Sequence, residues 1–141
     1  MKTILIDLNI ILDYLEDRDG CEKTGELFAK CFQRKLKGYV CTHEITTLSY
    51  YLEKIRKNRT ENIKIISRIM QIFEVIEINK TILESAALSN IIDFEDAVVI
   101  ESAKIKKVDC IITRNIKDYK NNPIPVMLPQ EYLAGMSSGN T

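Results

Sequence analysis

Strand-like and helix-like segments alternate along the whole chain, and no other feature of the sequence restricts the fold as much. Five short apolar segments rich in β-branched residues, "TILID" (3–7), "GYVCT" (38–42), "FEVIEI" (73–78), "DCIITR" (109–114) and "IPVML" (124–128), read as strands. Between them, residues 10–16, 22–36, 43–56, 60–71, 80–90 and 94–107 carry apolar residues at helical spacing, and Pro129 opens a short helix over 129–134. Parallel strands need crossovers, and helices supply them, so the pattern predicts an α/β fold: a parallel sheet with helices on both faces. "TILID" and "CIITR" are nearly continuous apolar runs, as strands covered on both faces should be, whereas "FEVIEI" alternates and suits an edge. Two helices meeting near "KNRTEN", between the second and third strands, predict a helical hairpin projecting from the sheet.

The chain of 141 residues is long enough for one domain with its own core, expected over 1–135 with a frayed tail, "GMSSGNT", at the end and the last residues, 136–141, flexible. Twenty basic residues balance twenty acidic ones, so net charge argues neither for nucleic acid nor for a membrane surface, and any such partner must be read from local clusters. The apolar start meets Asp7 after four residues and no later run approaches a membrane span, which predicts a cytoplasmic protein without membrane contact. Cys21, Cys31, Cys41 and Cys110 lack metal-ligand spacing and read as reduced, mostly buried thiols.

In an open α/β sheet ligands bind beyond the carboxyl ends of the strands. There the sequence places Asp7 and Asn9 after the first strand, Thr42, His43 and Glu44 after the second, and Thr113, Arg114 and Asn115 after the fourth. Asp93, Glu95 and Asp96 crowd the start of the helix that leads into the fourth strand. Converging carboxylates repel and raise one another's pKa unless a cation sits among them. Mg²⁺ or Mn²⁺ suits such a set, because both take oxygen ligands, keep waters and bind phosphate oxygens. Each residue also has a structural reading: Asp93 caps its helix with Asp96 at the third position, Asp7 or Asn9 caps the first helix, Thr42 the third, and Asn115 the turn "NIKD". Asp13 and Glu16 read as solvated or paired. His43 reads as a hydrogen-bonded structural residue, and Tyr50 and Tyr51 as core or partner-facing. The cluster Lys54, Arg56, Lys57 and Arg59, continuing to Lys64 and Arg68, is either a solvated hairpin tip or a contact for a phosphate backbone.

Two blocks carry a family resemblance. "ILIDLNIILDYLEDR" resembles the opening of PIN-domain proteins, and "DFEDAVVIESAKIKKVDCIITRNIKDYKNNPIPVMLPQEYL" their C-terminal half, with D-F-x-D-A at a helix start, T-R-N-x-x-D-Y/F after the fourth strand and P-x-x-(Y/F)-L at the close. The resemblance implies a five-stranded parallel sheet in the order 3-2-1-4-5 and Mg²⁺- or Mn²⁺-dependent phosphodiester hydrolysis. It makes Asp7 and Asp96 the metal carboxylates, with Asp93 supporting and Asn9 orienting the first. The family's second acid falls on Thr47 here, with Glu44 one turn earlier, and the acid that often follows "TR" falls on Asn115, with Asp118 one turn further on. Many such proteins are ribonuclease toxins of the VapC type.

The function expected is therefore an endoribonuclease that leaves a 3′-hydroxyl and a 5′-phosphate, acting as or descended from a toxin. Its site would be Asp7 and Asp96 with Asp93, Glu44, Asn115 and Asp118, supported by Asn9, Thr47 and Thr113. The expected partners are RNA, a cognate antitoxin protein and a second copy of the chain. Two rivals remain: a PIN fold that binds RNA or protein without cutting, and a dimerisation module paired through helices 43–71.

Overall fold

The computed structural model of the chain describes residues 1–119 and 121–137. The order of elements is β1 (Thr3–Ile6), α1 (Leu8–Leu15), α2 (Cys21–Phe32), β2 (Lys37–Cys41), α3 (Thr42–Ile55), α4 (Arg59–Ile72), β3 (Glu74–Ile76), α5 (Lys80–Ala87), α6 (Phe94–Lys106), β4 (Cys110–Ile112), a 3₁₀ turn (Ile116–Tyr119), β5 (Val126–Met127) and α7 (Pro129–Ser137). The five strands pair in parallel in the order 3-2-1-4-5, with "FEVIEI" at one edge and "TILID" at the centre, as expected.

Side-chain alternation along the strands divides the core in two. Ile4, Ile6, Val40, Cys110 and Ile112 pack with residues of α1, α2, α3, α4 and α7, while Leu5, Tyr39, Cys41, Ile76 and Ile111 pack with α6. Helix α5 packs on α6 through Ile82, Ala86, Ala97 and Val98. Gly38 in β2 is required by this packing: a Cβ there would stand 2.6 Å from Phe73 Cδ1 and 2.9 Å from Cys31 Sγ.

The central pair β1 and β4 is clamped at both ends by the same two residue types in mirrored order, Thr-x-x-x-Asp against Asp-x-x-x-Thr. At the entry, the Asp109 carboxylate accepts from the Thr3 amide at 2.8 Å, and the Thr3 hydroxyl accepts from the Asp109 amide at 3.1 Å. At the exit, the Thr113 hydroxyl donates to Asp7 Oδ2 at 2.8 Å. A slip of one residue would reverse the faces and break both clamps.

Several expected boundaries move. Helix α2 stops at Phe32 rather than 36 because Arg34 takes a left-handed conformation (φ 62°), which turns Leu36 into the core ahead of β2. Helix α5 ends at Ala87 rather than 90, where the Ser89 hydroxyl donates to the Ala86 carbonyl and accepts from the Ile91 amide. Helix α3 is capped by Cys41 and not by Thr42, whose hydroxyl accepts from the Ile78 amide at 3.3 Å. Of the expected tail, residues 136 and 137 belong to α7, and 138–141 lie outside the described residues. All four cysteines are free thiols, three of them buried. Among the described residues no helix is long and apolar enough to cross a membrane.

Candidate active site

Asp7 leaves β1 in an extended conformation at the position that precedes α1, yet its side chain does not cap that helix. The carboxylate turns to β4, where Thr113 holds Oδ2, and it is 6% exposed. Burial raises its pKa, against the opposing pull of Thr113, the Leu8 and Asn9 amides and the Tyr119 hydroxyl. Asn9 therefore acts on Asp7 through its backbone.

Glu44 comes from the first turn of α3 and is 2% exposed. Its Oε1 accepts from the Cys41 amide at 2.8 Å, closing a capping box with the Cys41 thiol, while Oε2 is buried with no partner. Burial and then the Asp7 charge push its pKa well above the ordinary carboxylate range. One acceptor oxygen is thus committed to the fold, and the other stands unsatisfied beside Asp7. An orphan of this kind in a native fold calls for an explanation.

Asp93 caps α6: its Oδ1 accepts from the Asp96 amide at 3.0 Å. The cap presents the Asp96 side chain, whose Oδ1 accepts from the Tyr119 hydroxyl at 3.3 Å. Burial, Asp93 and Asp7 together raise the Asp96 pKa to about 7, with Asp118 adding to the effect. The Tyr119 ring is 2% exposed, and the charges of Asp7, Asp96 and Glu44 all oppose ionisation of its phenol. Four elements, β1, α3, α6 and the 3₁₀ turn, therefore aim oxygen atoms at one place. It adjoins a recess of about 400 Å³ lined by Asp93, Asp96, Lys117, Asp118 and Asn121 among others. An apolar groove of about 780 Å³ between α1, α2 and α4 is larger, but no carboxylate lines it.

The other expected site residues fall outward. Thr47 is half-buried one turn along α3, so the buried acid beside Asp7 is Glu44. Asn115 works through its backbone: its amide donates to Thr113 Oγ1 at 3.1 Å, and its carbonyl accepts from the Asp118 amide at 3.0 Å. Asp118 is exposed at the rim. Lys54, Arg56, Lys57 and Arg59 are exposed at the turn between α3 and α4, with Lys54 over the Tyr50 ring at 4.6 Å and Arg56 donating to the Leu15 carbonyl at 3.3 Å. Tyr50 and Tyr51 are exposed and meet edge to face, so they are not core. His43 is partly buried with Nδ1 unpartnered, and burial lowers its pKa.

Two features were not singled out from the sequence. The Tyr119 hydroxyl stands among the acids, although "KDY" gives no sign of where the phenol points. On the opposite face of β4's exit, Arg114 Nη1 and Arg18 Nη1 each donate to Asp13 Oδ1 at 2.8 Å, and Arg18 also pairs with Glu16. Asp13 is buried at 8% exposure. Of the two readings, solvated or paired, the structure shows the second, and the partner that follows β4 is 101 positions away.

The donor set fits a hard divalent cation. Three carboxyls are each disfavoured as anions where they stand, one has a vacant buried oxygen, and the one sulfur beside them, the Cys41 thiol, is held protonated by burial and by the charges of Glu44 and Asp7. Among the described residues no three acidic, histidine or cysteine side chains stand close enough together to hold a metal ion; the acids interact as pairs, Asp7 with Glu44 and Asp7 with Asp96. An ion of the Mg²⁺ kind, which keeps several waters, needs only one or two carboxylates.

Solved structures with the same fold include VapBC2 from Rickettsia felis bound to a DNA fragment from their promoter (18% identity, TM-score 0.66, covering 89% of this chain and 96% of that one). A toxin–antitoxin complex from Klebsiella pneumoniae matches at 19% identity and TM-score 0.65, over 89% and 97% of the two chains. FitAcB from Neisseria gonorrhoeae matches at 17% identity and TM-score 0.67, over 90% and 98%. No curated protein matches the sequence. The family model of the PIN domain matches residues 3–117, from the first strand through the turn that carries the T-R-N segment, and so the chain belongs to the PIN-domain family.

Proposed function

We propose that the protein is a Mg²⁺- or Mn²⁺-dependent endoribonuclease, with Asp7 and Asp96 as the cation's carboxylates and Glu44 beside them. The observation that carries this reading is the convergence of these three acids, each held from ordinary ionisation, at the carboxyl ends of β1 and β2 and the start of α6. When bound, the cation supplies Lewis-acid polarisation of a phosphodiester and a more acidic water. The chain's own residues hold and orient. Asp93 fixes the helix start that presents Asp96, Thr113 fixes Asp7, and the Asn115 backbone fixes the turn that brings Asp118 to the rim. The exposed Lys54, Arg56, Lys57 and Arg59 offer positive charge to the phosphates of a bound strand.

Membership of the PIN family supports the nuclease reading, and the toxin–antitoxin assemblies among the similar folds support a role as the toxin of such a pair, with a cognate antitoxin as protein partner. An apolar groove between α1, α2 and α4, where Phe32 is 51% exposed, offers such a partner a face to cover. Neutral Thr47 and Asn115 favour a second reading, a PIN fold that binds RNA without cutting it. One experiment decides between them: Mn²⁺-dependent cleavage of single-stranded RNA by the wild type, Asp7→Asn and Asp96→Asn. The nuclease reading requires cleavage that both substitutions abolish. Cleavage unaffected by either refutes the site, and RNA binding without cleavage in the wild type supports the second reading.

A further inference from the structure

From the segment Thr113 to Tyr119 the expected contributions were Asn115 and Asp118 with Thr113 in support, yet what it brings inside is two hydroxyls, those of Thr113 and Tyr119. Thr113 donates to Asp7 Oδ2 at 2.8 Å, and Tyr119 donates to Asp96 Oδ1 at 3.3 Å. In each case one oxygen of the carboxylate is occupied by a hydroxyl of this segment. The Tyr119 hydroxyl also acts on Asp7, so it stands between the two carboxylates. The two donors are not equally constrained. Thr113 is fixed by the sheet, its amide donating to the Met127 carbonyl at 3.0 Å. Tyr119 is fixed by packing: its ring lies in the core formed by Leu5, Tyr39, Val99, Ile100 and Ile111, and its carbonyl accepts from Asn122 Nδ2 at 2.7 Å.

A buried phenol ordinarily finds one acceptor and is satisfied. This one is aimed at a group of acids from three other elements, where a phenylalanine ring would fill the same apolar space without the O–H. We propose that Tyr119 is a positioning residue of the cation centre: its hydroxyl holds Asp96 Oδ1 and thereby turns Oδ2 to the ion, as Thr113 does for Asp7. The inference rests on the reading of Asp7 and Asp96 as cation ligands. Carboxylates that ligate metals are themselves hydrogen-bonded, and loss of such an outer partner costs about 10–100-fold in metal affinity.

The test is Mn²⁺ binding by titration calorimetry to the wild type, Tyr119→Phe and Asp96→Asn, with melting in EDTA and near-ultraviolet circular dichroism as controls of the fold. Tyr119→Phe is expected to melt within a few degrees of the wild type without metal and to bind Mn²⁺ about 10–100-fold more weakly. Asp96→Asn is expected to lose binding. A purely structural phenol would leave the affinity of Tyr119→Phe unchanged, and a phenol that blocks the site would make it tighter; either result overturns the inference while the site reading stands. A variant that fails to fold also overturns it, since the hydroxyl would then belong to the core. No Mn²⁺ binding by the wild type, or undiminished binding by Asp96→Asn, refutes the cation site itself and this inference with it.

Discussion

Replacing Glu44 by glutamine should move stability and cation binding in opposite directions. In the metal-free protein Glu44 Oε1 caps α3 through the Cys41 amide, and Oε2 is buried beside Asp7 without a partner. A buried polar atom left unsatisfied costs about 1–3 kcal/mol, and a like charge next to it adds to that cost. Glutamine keeps an oxygen for the cap, cannot ionise, and offers an N–H to Asp7. Glu44→Gln should therefore stabilise the metal-free protein by about 1 kcal/mol, which for a chain of this size raises the melting temperature by roughly 3 °C. With Mn²⁺ the order reverses. At an ion concentration of about 100 times its Kd the wild type gains about 2.7 kcal/mol, whereas a variant bound about 100-fold more weakly gains about 0.4 kcal/mol. Differential scanning fluorimetry at pH 7.5, in EDTA and then across a Mn²⁺ series, reads both. A variant less stable than the wild type in EDTA, or one with an equal gain in Mn²⁺, would refute the placement of Glu44 at the cation.

The pH dependence has a definite sign. With the Asp96 pKa raised to about 7 and those of Asp7 and Glu44 raised as well, the folded chain keeps protons that the unfolded chain releases near pH 4, so urea midpoints of the metal-free protein should fall as pH rises from about 4 to 7. Mn²⁺ affinity should tighten over the same rise, because binding requires the deprotonated carboxylates; a flat profile in both would contradict the burial argument. Asp13→Ala removes two charge-assisted hydrogen bonds to half-exposed arginines and should cost about 1–2 kcal/mol in urea denaturation, less than a fully buried pair would. Neutralising Lys54, Arg56, Lys57 and Arg59 to glutamine in an Asp7→Asn background should weaken RNA binding and lower the salt slope by about 0.7 per lost phosphate contact; an unchanged slope would place the RNA elsewhere.

The architecture was legible because its cause is local. Strands covered on both faces must be apolar throughout, an edge strand alternates, and helices between them force parallel pairing. Element ends were less legible, since they turn on events such as the left-handed Arg34 or the Ser89 hydroxyl, which composition does not announce. In the site, Asp7, Asp93 and Asp96 could be read from strand ends and a helix start. Glu44 could be named, but whether it or Thr47 stands beside Asp7 depends on how α3 is rotated about its axis, which Cys41 sets by taking the cap. Tyr119 was hidden for a different reason: it stands in the polar run "NIKDYKNN", which gives no sign of burial, yet the residue is 2% exposed and belongs to the core.

If the acids hold a cation as proposed, the clamp at the two ends of β1 and β4 divides that centre into a part tied to the sheet and a part carried on helices. Asp7 is tied into the register of the central strands and cannot shift without breaking the Thr113 bond. Glu44 and Asp96 are carried on the first turns of helices, outside the strand register. Discrimination by ionic radius, about 2.0–2.1 Å to oxygen for Mg²⁺ against about 2.3–2.6 Å for Ca²⁺, would then depend on where α3 and α6 set their carboxylates, with the sheet as the ruler against which the ion is measured.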